Sequence, residues 1–148
     1  MDYRDRSIGR WVSMLYRYGQ SYLEHKLKAY NIGSGQFTFL MALLHQDGIR
    51  QESLASRLNI DKGTTARAMK KLEESGYISR QVDPKDKRAN IIYVTPKALT
   101  LKPVLIDISL QWTETITSGF TPQENEQVIL LLQRMSENAF SLMKMPEE

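Results

Sequence analysis

Between Lys62 and Leu72 the chain gathers two threonines, Thr64 and Thr65, an arginine, Arg67, and lysines at 62, 70 and 71 around Met69 and Leu72. If Met69 and Leu72 face a core, a step of about 100° per residue turns Thr65, Ala66 and Glu73 towards that face. Thr64, Arg67 and Lys71 then point outward, flanked by Gly63, Ala68 and Lys70. This outward face is small and hydroxylated at its start and basic further along. Such a face suits the major groove of a DNA duplex: short side chains permit close approach, threonine meets bases or thymine methyls, and arginine forks onto guanine. Lys62, near the helix start, can reach a phosphate. A plain solvated helix face has the same composition, so the helix alone does not separate the two readings.

The segment that follows does. Lys85, Asp86, Lys87 and Arg88 stand in the polar stretch Asp83-Pro84-Lys85-Asp86-Lys87-Arg88, between two β-prone runs, 77–82 and 89–94. This reads as a hairpin with a basic tip, too poor in apolar residues to be core. A projecting basic tip can enter the minor groove, whose negative potential favours arginine. Asp86 is placed to steady the Arg88 guanidinium. A solvated turn built on Asp-Pro is the competing reading; a basic hairpin directly after a basic helix favours DNA.

Charge agrees with this placement. The stretch 49–97 holds eleven basic and six acidic residues, whereas the remainder holds nine and eleven, so the net +3 of the 148-residue chain resides in the middle third. Composition is that of an ordinary soluble domain. The sequence has no cysteine, which removes disulfides, thiolate metal sites and thiol-based sensing. The first ten residues, MDYRDRSIGR, lack the apolar centre of a signal peptide, and no apolar run is long enough to span a bilayer, so a cytoplasmic location is expected. The two histidines, His25 and His45, have no metal-ligand spacing, and no phosphate loop, nucleophile elbow or triad is present; no metal, cofactor or enzymatic activity is expected.

The elements that must hold these residues follow from periodicity. A first helix over about 7–30 carries the stripe Ile8, Trp11, Leu15, Tyr18 and Tyr22, closed by Asn31-Ile32-Gly33. Ser34 can cap a second helix holding Phe37, Leu40, Met41, Leu43 and Leu44. A short helix over 51–58 and a tight Asn59-Ile60 turn lead to Asp61 as cap of the basic helix, which Gly76 stops. After the hairpin, Thr95-Pro96 starts a fifth helix that Pro103 should bend or loosen. Thr121-Pro122-Gln123-Glu124 is a capping box for a last helix that buries Val128, Leu131, Leu132, Met135, Ala139, Leu142 and Met143. The expected fold is mainly α with a small β-hairpin wing.

The stretch from Ser53 to Thr95 resembles the DNA-binding core of the MarR family of regulators. The matching elements are Leu54-Ala55, Thr64-Thr65, Leu72-Glu73-Glu74-Ser75-Gly76, Asp86-Lys87-Arg88 and Thr95. Ala98 departs from the family, which often has glycine there; only a local turn is affected. The resemblance extends over nearly the whole chain and implies a single domain, 1–148. In it, a winged helix-turn-helix core, 34–95, is flanked by helical dimerisation parts, 1–33 and 96–148. It implies a homodimer on a pseudo-palindromic operator, acting as a repressor. Trp11, Trp112, Phe120 and Phe140 in the terminal helices suit an interface between subunits, although a private core would also use them.

Many members of that family sense small aromatic or phenolic anions between the dimerisation helices and the DNA-binding part. The resemblance therefore nominates Arg17 as the cation for such an effector, with Tyr16, Tyr30, Met41 and His45 beside it; Arg17 as a surface cation is the plainer reading. Two other classes of function remain open from the residues: a winged-helix module for a protein partner, and a helical small-molecule-binding protein that leaves DNA alone.

Overall fold

A computed structural model describes residues 2–144. Residue 1 and residues 145–148 of the expected dimerisation parts lie outside the described residues. By its contacts the chain divides into two compact units, 1–112 and 113–148. After a 3-10 turn at Tyr3–Arg6, the first unit runs α1 (Ile8–Leu27), α2 (Ser34–His45), β1 (Ile49–Arg50), α3 (Gln51–Leu58), α4 (Lys62–Glu74), β2 (Ile78–Asp83) and β3 (Asp86–Val94). Helix α5 (Pro96–Ile116) runs on into the second unit, which also holds α6 (Pro122–Met143).

The core of the first unit gathers on α2, an apolar helix that buries Phe37, Phe39, Leu40, Leu43 and Leu44. Leu27, Leu54, Met69, Leu72, Tyr77, Ile92, Leu105 and Ile108 close around it. Helix α1 ends in a 3-10 turn, Lys28–Tyr30, and Asn31 takes the left-handed conformation (φ 56°) that asparagine tolerates. The start of α2 differs from the sequence expectation. Gly33 is the cap residue, and its N–H donates to Gln36 Oε1 at 2.7 Å. Ser34 is already helical, and its N–H donates to Glu24 Oε1 at 2.7 Å. Helix α5 crosses α1 closely: the Tyr22 hydroxyl donates to the Ile108 carbonyl at 2.8 Å, and its ring lies 5.3 Å from that of Trp112. Pro103 sits inside α5 without ending it.

The sheet is three-stranded and antiparallel, in the order β1-β3-β2. The two-residue β1 was not foreseen; Ile49 and Arg50 pair with Ile92 and Ile91. The hairpin is tighter than its sequence suggested. Asp83 pairs with Asp86, so the turn is Pro84-Lys85, and Asp86, Lys87 and Arg88 belong to a nine-residue strand. Asp83 is buried. One of its oxygens takes Arg50 Nε at 2.8 Å and Nη2 at 2.6 Å, and the other accepts the Lys85 N–H at 2.9 Å. This charge-assisted group ties the short first strand to the base of the hairpin turn.

Helix α6 starts at the expected capping box: Thr121 Oγ1 accepts the Glu124 N–H at 3.1 Å, and Glu124 Oε2 accepts the Thr121 N–H at 2.9 Å. Its apolar stripe, however, is not buried within the chain. Val128 and Met135 are half-covered, Leu131, Leu132 and Ala139 are exposed, and Leu142 and Met143 are exposed at 67 % and 79 %. Periodicity identifies the face that needs cover but not where the cover comes from.

The Lys85 amide, and then the Arg50 guanidinium, hold the Asp83 carboxyl below the usual carboxylate range. Because the folded value is depressed, the stabilisation is complete above the unfolded value of about 3.9 and is lost as pH falls through the folded one. Amide protection factors in β2 and β3 should therefore hold down to about pH 4 and collapse below it. In Arg50→Met the collapse should begin at higher pH; an acid profile identical to the parent's would remove the pair from this role.

Candidate nucleic-acid interface

Helix α4 is set by its two ends and one buried face. At its start Asp61 accepts the Thr64 N–H on Oδ1 at 2.8 Å and the Thr64 hydroxyl on Oδ2 at 2.7 Å. These bonds hold the Asp61 carboxyl below its ordinary range. Ahead of it, α3 ends on Asn59 in the left-handed conformation (φ 55°), so the turn between the two helices is Asn59-Ile60-Asp61. Thr65, Ala68, Met69 and Leu72 are buried.

That burial corrects one placement from the sequence and agrees with another. Ala68 is 4 % exposed and lies in the packed face rather than beside Lys71. Thr65 is fully buried, with its hydroxyl donating to the Asp61 carbonyl at 2.8 Å, so it offers nothing outward. The helix is wedged against α2, α3 and β2 together, and its covered arc is accordingly wider than a stripe through Met69 and Leu72. Lys62, Gly63, Arg67, Lys70 and Lys71 are exposed, and Thr64 is half-exposed. Arg67 folds back along the first turn, where Nη2 donates to Thr64 Oγ1 at 3.2 Å. A Cβ on Gly63 would meet Arg67 Nη1 and Asp61 Oδ1 at 3.4 Å, ordinary contact distance. Lys71 stands towards α1, close enough for its charge to act on Glu24, whose carboxyl is lowered chiefly by its hydrogen bonds from Ser34.

On the wing, Lys85, Asp86, Lys87 and Arg88 are all exposed. Asp86 Oδ1 accepts the backbone N–H of Arg88 at 3.0 Å, so it steadies the strand and not the guanidinium. A cleft of about 360 Å³ brings the two elements together, with Lys62 on one wall and Asp86 and Arg88 on the other, over Arg50 and Gln51. The sequence reading missed two supports of this surface. The Arg50–Asp83 pair anchors the wing, and Arg80 Nη2 pairs with Glu73 Oε1 at 3.0 Å, joining β2 to α4. Partners 33 residues apart leave no local pattern from which the first could be read.

The residues nominated for an effector lie as follows. Arg17 is exposed and donates to Ser13 Oγ one turn back. Tyr16 is 67 % exposed, and His45 is exposed at the end of α2. Tyr30 and Met41 are half-buried against the core. A cleft of about 780 Å³ is lined by Gln20, Glu24, His25, Lys28 and Asn31, among others, and by none of these five. Among the described residues no group of three or more His, Asp or Glu is gathered as a metal site, and no helix is long and apolar enough to cross a membrane.

The sequence model of the MarR family matches residues 32–89, the span from the start of α2 into the wing. An uncharacterised HTH-type transcriptional regulator of Bacillus subtilis, YybA, is 34 % identical over 131 residues, covering 88 % of this chain and 87 % of that protein. Among solved structures, a MarR transcriptional regulator from Methanosarcina mazei superposes with a TM-score of 0.87 at 46 % identity, over 91 % of this chain and 97 % of that one. A putative MarR family regulator from Listeria monocytogenes, solved in complex with a 26mer DNA, superposes with a TM-score of 0.85 at 26 % identity, over 97 % and 99 %. These relatives are transcriptional regulators and not enzymes. The chain belongs to the MarR family of winged-helix transcriptional regulators.

Proposed function

We propose that this regulator is a cytoplasmic homodimer that binds a pseudo-palindromic DNA operator sequence-specifically and represses transcription from it. The observation that carries the reading is the shared surface of α4 and the wing. Arg67 and Thr64 stand on a capped, exposed helix face, and Lys62 and Arg88 open into one cleft beside it. That the Listeria neighbour was solved in complex with DNA supports DNA as the ligand of this fold. In this reading residues 34–95 form the DNA-binding part, and 1–33 with 96–148 form the dimerisation part. Lys62, Lys70, Lys71, Lys85 and Lys87 meet phosphates, Arg67 and Thr64 meet base edges, and Arg88 enters the minor groove. Gly63 admits the backbone closely, while Thr65, Ala68 and Asp86 act by holding their elements in place.

Dimerisation is supported by apolar surface that the single chain leaves open. On α1, Ile8, Trp11, Val12 and Leu15 are between 46 % and 61 % exposed; on α6, Leu131, Leu132, Phe140 and Leu142 are between 43 % and 67 % exposed. Exposed apolar helix faces of this kind mark association sites, and a second copy of the chain is their occupant here. A small aromatic or phenolic anion as releasing effector belongs to the same reading. Arg17 would supply its cation, with Tyr16, Tyr30, Met41 and His45 as candidate neighbours.

Light scattering should return twice the chain mass of 17.1 kDa at micromolar concentration. A monomer would overturn the dimer and, with it, the palindromic operator.

Selection from random duplexes should enrich two inverted half-sites about one helical turn apart, or about 10 base pairs. On the selected operator, Arg67→Ala should cost about 1–3 kcal/mol per half-site and relax choice at one base position. Arg88→Ala should weaken binding to selected and scrambled duplexes alike and reduce the salt slope by about one per lost phosphate contact. If both variants bind as the parent does at every salt concentration, the assignment of these residues is wrong.

A further inference from the structure

Helix α4 has a second anchor, at the end away from its Asp61 cap. The last carbonyls of any helix lack intrahelical partners and must be satisfied from elsewhere. In α4 the carbonyls of Lys71, Leu72 and Glu73 accept the N–H groups of Ser75, Tyr77 and Gly76, and the residues just beyond the helix are held from two sides. The Ser75 carbonyl, at the C-terminal cap of α4, accepts Lys97 Nζ from α5 at 2.7 Å. The next carbonyl, that of Gly76, accepts the Thr95 hydroxyl at 2.6 Å, and the Tyr77 carbonyl accepts the Thr95 N–H at 3.0 Å. On the other side, the Ser75 hydroxyl donates to the Asn31 carbonyl at 3.3 Å and accepts from Asn31 Nδ2 at 3.2 Å. The Tyr77 hydroxyl donates to the Tyr30 carbonyl, and Lys97 Nζ lies 4.5 Å from the centre of the Tyr77 ring.

Ser75 is thus held between the linker that leaves α1 and the first turn of α5. Both helices carry exposed apolar side chains along the rest of their length. Asn31 faces Ser75 with both its carbonyl and its amide, and its left-handed backbone conformation (φ 56°) accompanies that presentation.

We propose that Asn31, Ser75 and Lys97 are positioning residues that fix the inclination of α4 to α1 and α5, and thereby set the operator spacing that the dimer accepts. The proposal rests on the reading of the chain as a dimeric DNA-binding regulator. Leverage is its physical basis. With 13 residues α4 is about 20 Å long at 1.5 Å per residue. A swing of about 10° at its C-terminal end moves the first turn by about 3.4 Å, the rise of one base pair. None of the three residues belongs to the set placed on DNA, so their effect reaches the duplex only through the angle of the helix.

The test measures affinity for the selected operator and for versions with one base pair added or removed between the half-sites. Parent protein is compared with Asn31→Gly, Ser75→Ala, Lys97→Met and Ser75→Thr. Glycine keeps the left-handed backbone of Asn31 while removing its amide, and threonine keeps the hydroxyl of Ser75. The parent should prefer its own spacing by about tenfold or more. Asn31→Gly, Ser75→Ala and Lys97→Met should each reduce that preference by about threefold or more, with dimer mass, salt slope and melting temperature close to the parent's. Ser75→Thr should restore it.

Spacing profiles identical to the parent's overturn the proposal, and so does an equal loss on all duplexes, which is the mark of a purely structural role. A parent that binds duplex with no spacing preference, or does not bind it at all, overturns the dimeric DNA-binding reading and this proposal with it.

Discussion

The structure depends first on one face of α4 being sunk into the core. Met69 and Leu72 are completely or almost completely removed from solvent, and burying a side chain of that size contributes about 1.5–3 kcal/mol. Burial fixes the rotation of the helix about its own axis, and with 3.6 residues per turn that rotation decides which residues are offered outward. Thr65 is compatible with the packed face because the Asp61 carbonyl takes its hydroxyl. A buried hydroxyl without a partner would oppose the same rotation. Arg67 and Thr64 face outward because Met69 and Leu72 face in.

The parts of the fold that were legible in the sequence are those fixed by neighbours along the chain. Helix α3 begins and ends where its pattern places it, Asp61 caps α4, and Thr121 with Glu124 closes the capping box of α6. Such caps join residues three apart, so they survive in a linear reading. The two-residue β1 is too short to have a period, and its existence follows from Ile91 and Ile92 on a strand some forty residues later. The charged run Asp86-Lys87-Arg88 has low strand propensity, and it is drawn into the strand by the Asp83–Asp86 pair at the far side of a register shift. Ala68 was misplaced for another reason: alanine is nearly neutral in a hydrophobic pattern, so only the neighbours around α4 reveal that it is covered.

The terminal helices show a different limit of pattern reading. The stripes of α1 and α6 are where the sequence puts them, yet Leu15 and Leu132 are almost half exposed in the single chain. An amphipathic period records that a face avoids water, and it holds equally for a face meeting its own chain or another one. The core around α2 takes Tyr22 from the end of the α1 stripe and leaves Ile8, Trp11 and Leu15 and the α6 stripe outside it. The two parts of the chain therefore answer to separate constraints, one met by intramolecular packing and one left open.

The shortness of the wing turn has a consequence for survival of the protein in a cell. Lys85, Lys87 and Arg88 in close succession are the residues that trypsin-like proteases cut beside, and exposed loop tips are the usual sites of nicking. Cleavage requires several residues to detach from their partners and enter the protease in an extended form. Here the regular ladder ends at Val82 and Asn90, the register then shifts, and the Asp83–Asp86 pair closes the turn over Pro84 and Lys85. Arg50 and Lys85 both bind the carboxylate at the base of that turn. Opening the tip means first breaking that closing pair and the Arg50–Asp83 ion pair, so a strongly basic sequence is held at its turn against the enzymes its composition would attract.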